Sequence, residues 1–138
     1  MNQDIKSILQ FEDYIVKNVS FRYNMEYNKD EMVDIDFDVN AEYYYDEDNG
    51  NMQVTLKTSV FNSENAVKYP FSMEIEVVGF FFISNSSKEQ IESFKPNAAA
   101  ILFPYVRALV SSYTANANVT PLVLPPININ KLLRSKGR

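Results

Sequence analysis

A proline interrupts an apolar, alanine-rich run, Ala98-Ala99-Ala100-Ile101-Leu102-Phe103-Pro104-Tyr105-Val106-Arg107. No other feature constrains the fold as much. The run otherwise reads as a helix, with Ile101, Leu102, Tyr105, Val106, Leu109 and Tyr113 at helical spacing. Proline inside a helix removes a backbone donor and crowds the carbonyl four residues back, at about 3 kcal/mol or more. Packing from outside must offset that cost, so the helix is expected to lie against other elements.

Those elements read as strands. Residues 14 to 23 place Ile15, Val19, Phe21 and Tyr23 on one face. From Met32 the alternation is strict: Val33, Ile35, Phe37, Val39 and Ala41 against Asp34, Asp36, Asp38, Asn40 and Glu42, the pattern of a half-buried antiparallel strand. Asp46-Glu47-Asp48-Asn49-Gly50-Asn51 supplies hairpin chemistry. Met52, Val54, Leu56, Thr58 and Val60 line a third strand; after a polar loop at Asn62 to Asn65, Phe71, Met73, Ile75 and Val77 line a fourth. In Val78-Gly79-Phe80-Phe81-Phe82-Ile83 both faces turn apolar, so cover on both sides is expected.

Ser86 and Ser87 each have Glu or Gln three residues on, the capping-box signature of a helix start. Ile91 and Phe94 lie on its apolar side, Pro96-Asn97 is expected to interrupt it, and it should end near Thr114 to Asn118. Thr120-Pro121-Leu122-Val123-Leu124-Pro125-Pro126-Ile127-Asn128-Ile129-Asn130 has too many prolines for a central strand and is too apolar for a free linker. It should lie along an apolar surface. Lys131-Leu132-Leu133-Arg134 can form a short final helical turn, followed by a basic tail from Ser135 to Arg138.

The 138 residues fit one domain with a core of about residues 14 to 133. Having neither histidine nor cysteine, the chain has no disulfide, no thiol nucleophile and no imidazole base. Neither an enzyme nor a metal site is expected. Ten Phe and nine Tyr exceed what a core of this size absorbs comfortably, so some rings should face a groove or a second subunit. A net charge of -5 argues against nucleic acid. The N-terminal residues lack a signal peptide's apolar run and no stretch reaches bilayer length, so a cytoplasmic protein without membrane insertion is expected.

Two acidic clusters have competing readings. Asp46, Glu47 and Asp48 do not follow the alternate-position spacing of a calcium loop and read as a solvated turn. Asp34, Asp36 and Asp38 share one face but lack a second partner type, and read as solubilising charge.

The strands, the helix carrying Ile101-Leu102-Phe103-Pro104-Tyr105-Val106-Arg107, and Pro121-Leu122-Val123-Leu124-Pro125-Pro126-Ile127-Asn128 together resemble the SecB family of protein-export chaperones. Phe71 through Ile83, with Gly79 before aromatic residues, is similar to the family's fourth strand. The resemblance implies an α+β fold: a four-stranded antiparallel sheet packed on a long helix, plus a short final helix. It further implies a homo-oligomer, dimer or dimer of dimers, that holds unfolded or nascent polypeptides in an apolar groove without ATP, nucleotide or cofactor, keeping preproteins ready for the SecA motor.

On this reading Tyr44, Phe80, Phe82, Leu122, Leu124, Ile127 and Ile129 are client-binding candidates. Tyr44 reads equally as an amphipathic strand-end ring, Phe80 and Phe82 as subunit interface, and Leu122 to Ile129 as ordinary packing. Ile101, Leu102, Pro104, Tyr105 and Leu109 are candidates for helix packing and assembly. Glu74 falls where the family presents an acid to SecA and Glu76 is a second SecA-facing candidate, yet where exporters read D-I-S-F-E this chain has Asn18-Val19-Ser20-Phe21-Arg22, which argues against SecA coupling. Two narrower alternatives stand: a dedicated chaperone of one client, such as an antitoxin, and a module that shares the fold but holds no clients.

Overall fold

A computed structural model describes residues 8–27, 34–61, 69–84, 87–125, 128 and 131. Four strands, β1 (Ile8–Tyr23), β2 (Phe37–Asp46), β3 (Asn51–Val60) and β4 (Phe71–Ser84), precede one helix, α1 (Lys88–Asn116). The strands form a single antiparallel sheet in the order β1-β4-β3-β2. The expected α+β fold is what forms.

Alternation sets one core face. Phe71, Met73, Ile75, Val77, Phe81 and Ile83 of β4 and Met52, Val54, Leu56 and Val60 of β3 are all buried there. The helix lies on this face, and Gly79 explains how closely. A Cβ at Gly79 would stand 2.9 Å from Leu102 Cδ1 and 3.0 Å from the Phe81 ring, so only glycine lets Leu102 settle onto the sheet. Leu102, Phe103, Val106 and Val110 complete the buried stripe of α1.

The starts of β1 and β2 depart from the pattern read in the sequence, while β1 ends at Tyr23 as expected. β1 starts at Ile8, six residues before the expected start at 14, and its register with β4 shifts between Phe11 and Asp13 and between Val16 and Asn18. These two bulges reset the alternation, so Leu9 and Phe11, then Tyr14 and Val16, then Val19 and Phe21 face the helix side, while Ile15 pairs with Val78 on the other face. β2 starts at Phe37, whose partner Val60 is the last residue of β3. Ahead of it, Asp34 to Asp36 are outside the sheet, with Asp36 O accepting from the Phe61 N–H (2.7 Å), and Met32 and Val33 lie outside the described residues.

The turn from β2 to β3 forms as expected. Gly50 has φ +74°, the Gly50 N–H donates to Asp46 O (2.8 Å), and the Asp46 carboxylate accepts from the Asp48 N–H (3.1 Å) and the Asn49 side chain (2.8 Å). Asp46 is thus committed to shaping the turn.

The helix begins with the reciprocal capping box of Ser87 and Gln90. It runs unbroken through Pro96 as well as Pro104, so the expected interruption at Pro96-Asn97 does not occur. Ile91 before it and Ala98 and Ala99 after it are buried against the sheet and hold both halves in line. Of the second capping candidate, Ser86, the polar loop at Asn62 to Asn65 and the final turn and tail, only Lys131 lies among the described residues; it is helical, with its N–H donating to Asn128 Oδ1 (3.1 Å).

Candidate functional site

One helix cannot cover four strands, and its two flanks are filled differently. Toward β1, Tyr105 meets Tyr14 (ring centroids 4.4 Å apart) and Phe11 (5.6 Å), and Phe11 meets Phe81 (5.2 Å). Further along, Tyr113 meets Phe21 at 5.5 Å. The outer edges of this stack stay open: Ile101, Tyr105 and Tyr113 are each 38% exposed, and Tyr14 and Val16 are exposed beside them. Pro104 is exposed on the same side of α1 as Ile101 and Tyr105, while Leu102 is buried and Leu109 half-buried.

The other flank is built by the chain beyond the helix. Arg107 projects about 200° round the helix from Tyr105, away from β1. Its Nε donates to Leu124 O (3.0 Å), Ser111 Oγ donates to Leu122 O (3.0 Å), and the Leu122 N–H donates to Thr114 Oγ1 (2.9 Å). Higher segment numbers meet lower helix numbers, so residues 120–125 run antiparallel to α1. Pro121 and Pro125 have no N–H to give a sheet, and the three helix side chains supply the partners that a strand would have supplied. Leu124 is fully buried in the core, Leu122 is half-buried, and Val123 is 62% exposed.

The core-facing side of β2 is incompletely covered. Phe37, Ala41, Tyr43 and Tyr45 pack on the core yet remain half-buried. Lys95, ion-paired with Glu92 (2.8 Å), stands 5.6 Å from the centre of the Tyr43 ring. Burial raises the Tyr43 hydroxyl pKa above its ordinary value of 10.0. The flank of α1 away from β1 thus carries apolar side chains of β2 that are only partly covered and an exposed Val123, able to take up apolar side chains.

The sheet separates the client-binding candidates. Tyr44, Gln53, Phe80 and Asp13 form one row across the outer face, the face opposite α1, and Phe82 lies in the next row with Gln10 and Asn51. Tyr44, Phe80 and Phe82 therefore come together, on the far side of the sheet from Leu122 and Leu124. Ile127 and Ile129 lie outside the described residues. The expected cover on both sides of Val78 to Ile83 is partial: among the described residues no helix or strand packs on the outer face, yet Val78 is buried there, Phe80 and Phe82 are half-buried, and the turn at Gly50 lies against the Phe82 ring. Glu74 is exposed on this face, and Glu76 pairs with Lys17 at 3.5 Å.

Arg107, Ser111 and Thr114 were not among the candidates, yet they fasten the segment. Their spacing of four and three forms a polar stripe on an apolar helix, which is the signal that could have found them. No group of three or more metal-ligating side chains occurs among the described residues, and no described helix is long and apolar enough to cross a membrane.

The fold has a solved counterpart in the Mycobacterium tuberculosis SecB-like chaperone Rv1957, in complex with a ChAD peptide from the HigA1 antitoxin: TM-score 0.73 at 14% identity, covering 86% of this chain and 90% of that one. In sequence, the chain is 38% identical over 126 residues to the uncharacterized protein MJ0357 of Methanocaldococcus jannaschii, covering 90% of this chain and 81% of the relative. It is 27% identical over 143 residues to a protein-export protein SecB of Francisella tularensis, covering 98% and 93%. The family model described as preprotein translocase subunit SecB matches residues 2–138, and the chain belongs to the SecB family.

Proposed function

We propose that this protein is a chaperone that holds non-native polypeptides, without ATP and without catalysis, on β2 and the 120–125 segment. The carrying observation is the half-buried row Phe37, Ala41, Tyr43 and Tyr45 on the core side of β2, together with the exposed Val123 in the segment fastened to the flank of α1 away from β1. Apolar side chains left partly open around a rigid sheet can accept many sequences, because hydrophobic contact is non-directional. Family membership and the M. tuberculosis neighbour, a SecB-like chaperone bound to a peptide, support the reading. Its clients are unfolded or nascent chains in the cytoplasm, including proteins awaiting export.

The open aromatic edge of Tyr14, Val16, Ile101, Tyr105 and Tyr113 serves assembly into a homo-oligomer, with Pro104 placed at that surface. A SecA-type motor meeting Glu74 and Glu76 would also meet Lys17, Arg22 and Lys57 on the same face. Such mixed charge favours weak coupling.

The test is suppression of aggregation. Near-stoichiometric protein should keep a chemically denatured model client in solution on dilution, and Val123→Asp should weaken this without altering the circular dichroism spectrum. Aggregation at the uninhibited rate with the unmodified protein would contradict the proposal.

A further inference from the structure

The sheet ends in two edges of unlike construction, β1 and β2, and no described strand pairs with the outer side of either. β1 meets β4 through two register shifts that leave Glu12 and Lys17 without a partner position. A bulged strand bends, and its ladder is broken where the extra residue stands. β1 also carries Phe11 and Tyr14, part of the open aromatic edge beside Tyr105 that serves assembly. β2 is regular throughout. All ten of its residues, Phe37 to Asp46, pair with β3 in one unbroken register. Natural sheets blunt their edges with bulges, prolines or lysines, and β2 has none of the three. Such an edge presents a row of backbone N–H and C=O groups ready to template one more strand.

The side chains of β2 specify what that strand is. On the core side Phe37, Ala41, Tyr43 and Tyr45 are half-buried, and of this row only Val39 is fully covered. On the outer side stand Asp38, Asn40, Glu42, Tyr44 and Asp46, three carboxylates with no cation from β2 itself. Lys57 of β3 reaches Glu42 (3.3 Å), but both side chains are largely exposed and the pair is weak. A neighbouring strand places its residues alternately beside these two rows, and aromatic–aliphatic and opposite-charge pairs across strands are the favourable ones.

We propose that the free edge of β2 is a strand acceptor. An extended client segment adds to it antiparallel, with apolar side chains toward Tyr43 and Tyr45 and cationic or small polar side chains toward Asp38 and Glu42. The ladder of backbone hydrogen bonds gives affinity that any unfolded chain can supply and that a folded one has already spent, while the alternation of side chains selects among unfolded segments. The proposal rests on the holding function given above and adds its substrate class: stretches of strand pattern rather than helix pattern.

The test uses the full-length protein and a synthetic peptide as long as β2 that alternates leucine with lysine or serine. Two further versions are N-methylated, one at every leucine and one at every other residue. In an added strand the N–H groups of alternate residues point to β2 and those of the rest to solvent. One methylated version should therefore bind about tenfold or more weakly than the unmodified peptide while the other keeps its affinity, and amide exchange should slow along β2. Equal affinity of the two methylated versions would overturn the added strand, as would slowed exchange along β1 instead of β2. So would failure of the unmodified peptide to bind while aggregation of a denatured client is still suppressed. Loss of that suppression falls on the holding function itself, so the two failures are told apart.

Discussion

The two flanks of α1 face the same problem, apolar surface that one helix cannot cover, and they solve it with different chemistry. Toward β1, Tyr105, Tyr14 and Phe11 stack ring on ring and leave a stiff open edge. Toward β2, a proline-punctuated segment is fastened to the helix by three side chain-to-backbone hydrogen bonds, and the rings of Tyr43 and Tyr45 on β2 lie half-covered. A stiff aromatic edge suits one partner of fixed shape. A segment anchored by the buried Leu124 and three replaceable hydrogen bonds keeps Val123 exposed and can adjust around it, which suits partners of many shapes.

Leu102→Ala strikes both flanks at once, because Leu102 seats the helix over Gly79. A loss of about 2–5 kcal/mol in urea unfolding is expected, with assembly and client holding failing together. Separate failure would show that the flanks do not share one foundation. Thr114→Val confines the damage to the β2 flank. It leaves the Leu122 N–H without its acceptor, at about 1–3 kcal/mol, and amide exchange at Leu122 should accelerate while that around Tyr14 stays slow.

Tyr105→Ala is the opposite lesion. Its ring pairs with Tyr14 and Phe11 are worth about 0.5–1.5 kcal/mol beyond area, so the fold should survive while light scattering reports a smaller particle that still suppresses aggregation. Loss of holding with the particle size unchanged would invert the assignment of the two flanks. A gain is expected from Thr58→Val, since the buried Thr58 Oγ1 finds no partner among the described residues. Removing that hydroxyl should raise stability by about 1 kcal/mol and leave both flanks as they are.

The smallest effect concerns pH. Burial raises the folded pKa of Tyr43 above its ordinary value of 10.0, so its neutral form is favoured in the fold. The associated stability is fully present below the unfolded pKa and is lost as pH rises through the folded one. Tyr43→Phe should therefore flatten the alkaline limb of the stability curve above pH 10 and change nothing near neutrality.

Much of this fold can be read directly from the chain, for reasons that local physics supplies. Alternation in residues 37 to 60 translates into the β2–β3 pair because the turn at Asp46 to Gly50 fixes its register. β1 is harder, since two bulges shift the phase and conceal Leu9, Phe11, Tyr14 and Val16 as one face. The proline at 104 points to packing, but the proline at 96 does not break the helix, because tertiary contacts override propensity. The candidate site is less legible. Period-two reading puts Tyr44, Phe80 and Phe82 each on the face opposite its strand's core residues, but only the pairing of strands brings them together and shows that Leu122 and Leu124 lie on the opposite side of the sheet. Arg107, Ser111 and Thr114 gain their meaning from a segment folded back on them, a non-local contact that no spacing announces on its own.

The most direct test of the account places a photo-crosslinking residue at Val123 in one preparation and at Tyr105 in another, then irradiates each with a denatured client present. Client adducts at Val123, and adducts between copies of the chain at Tyr105, are the predicted result. Client adducts at Tyr105 with none at Val123 would contradict the account.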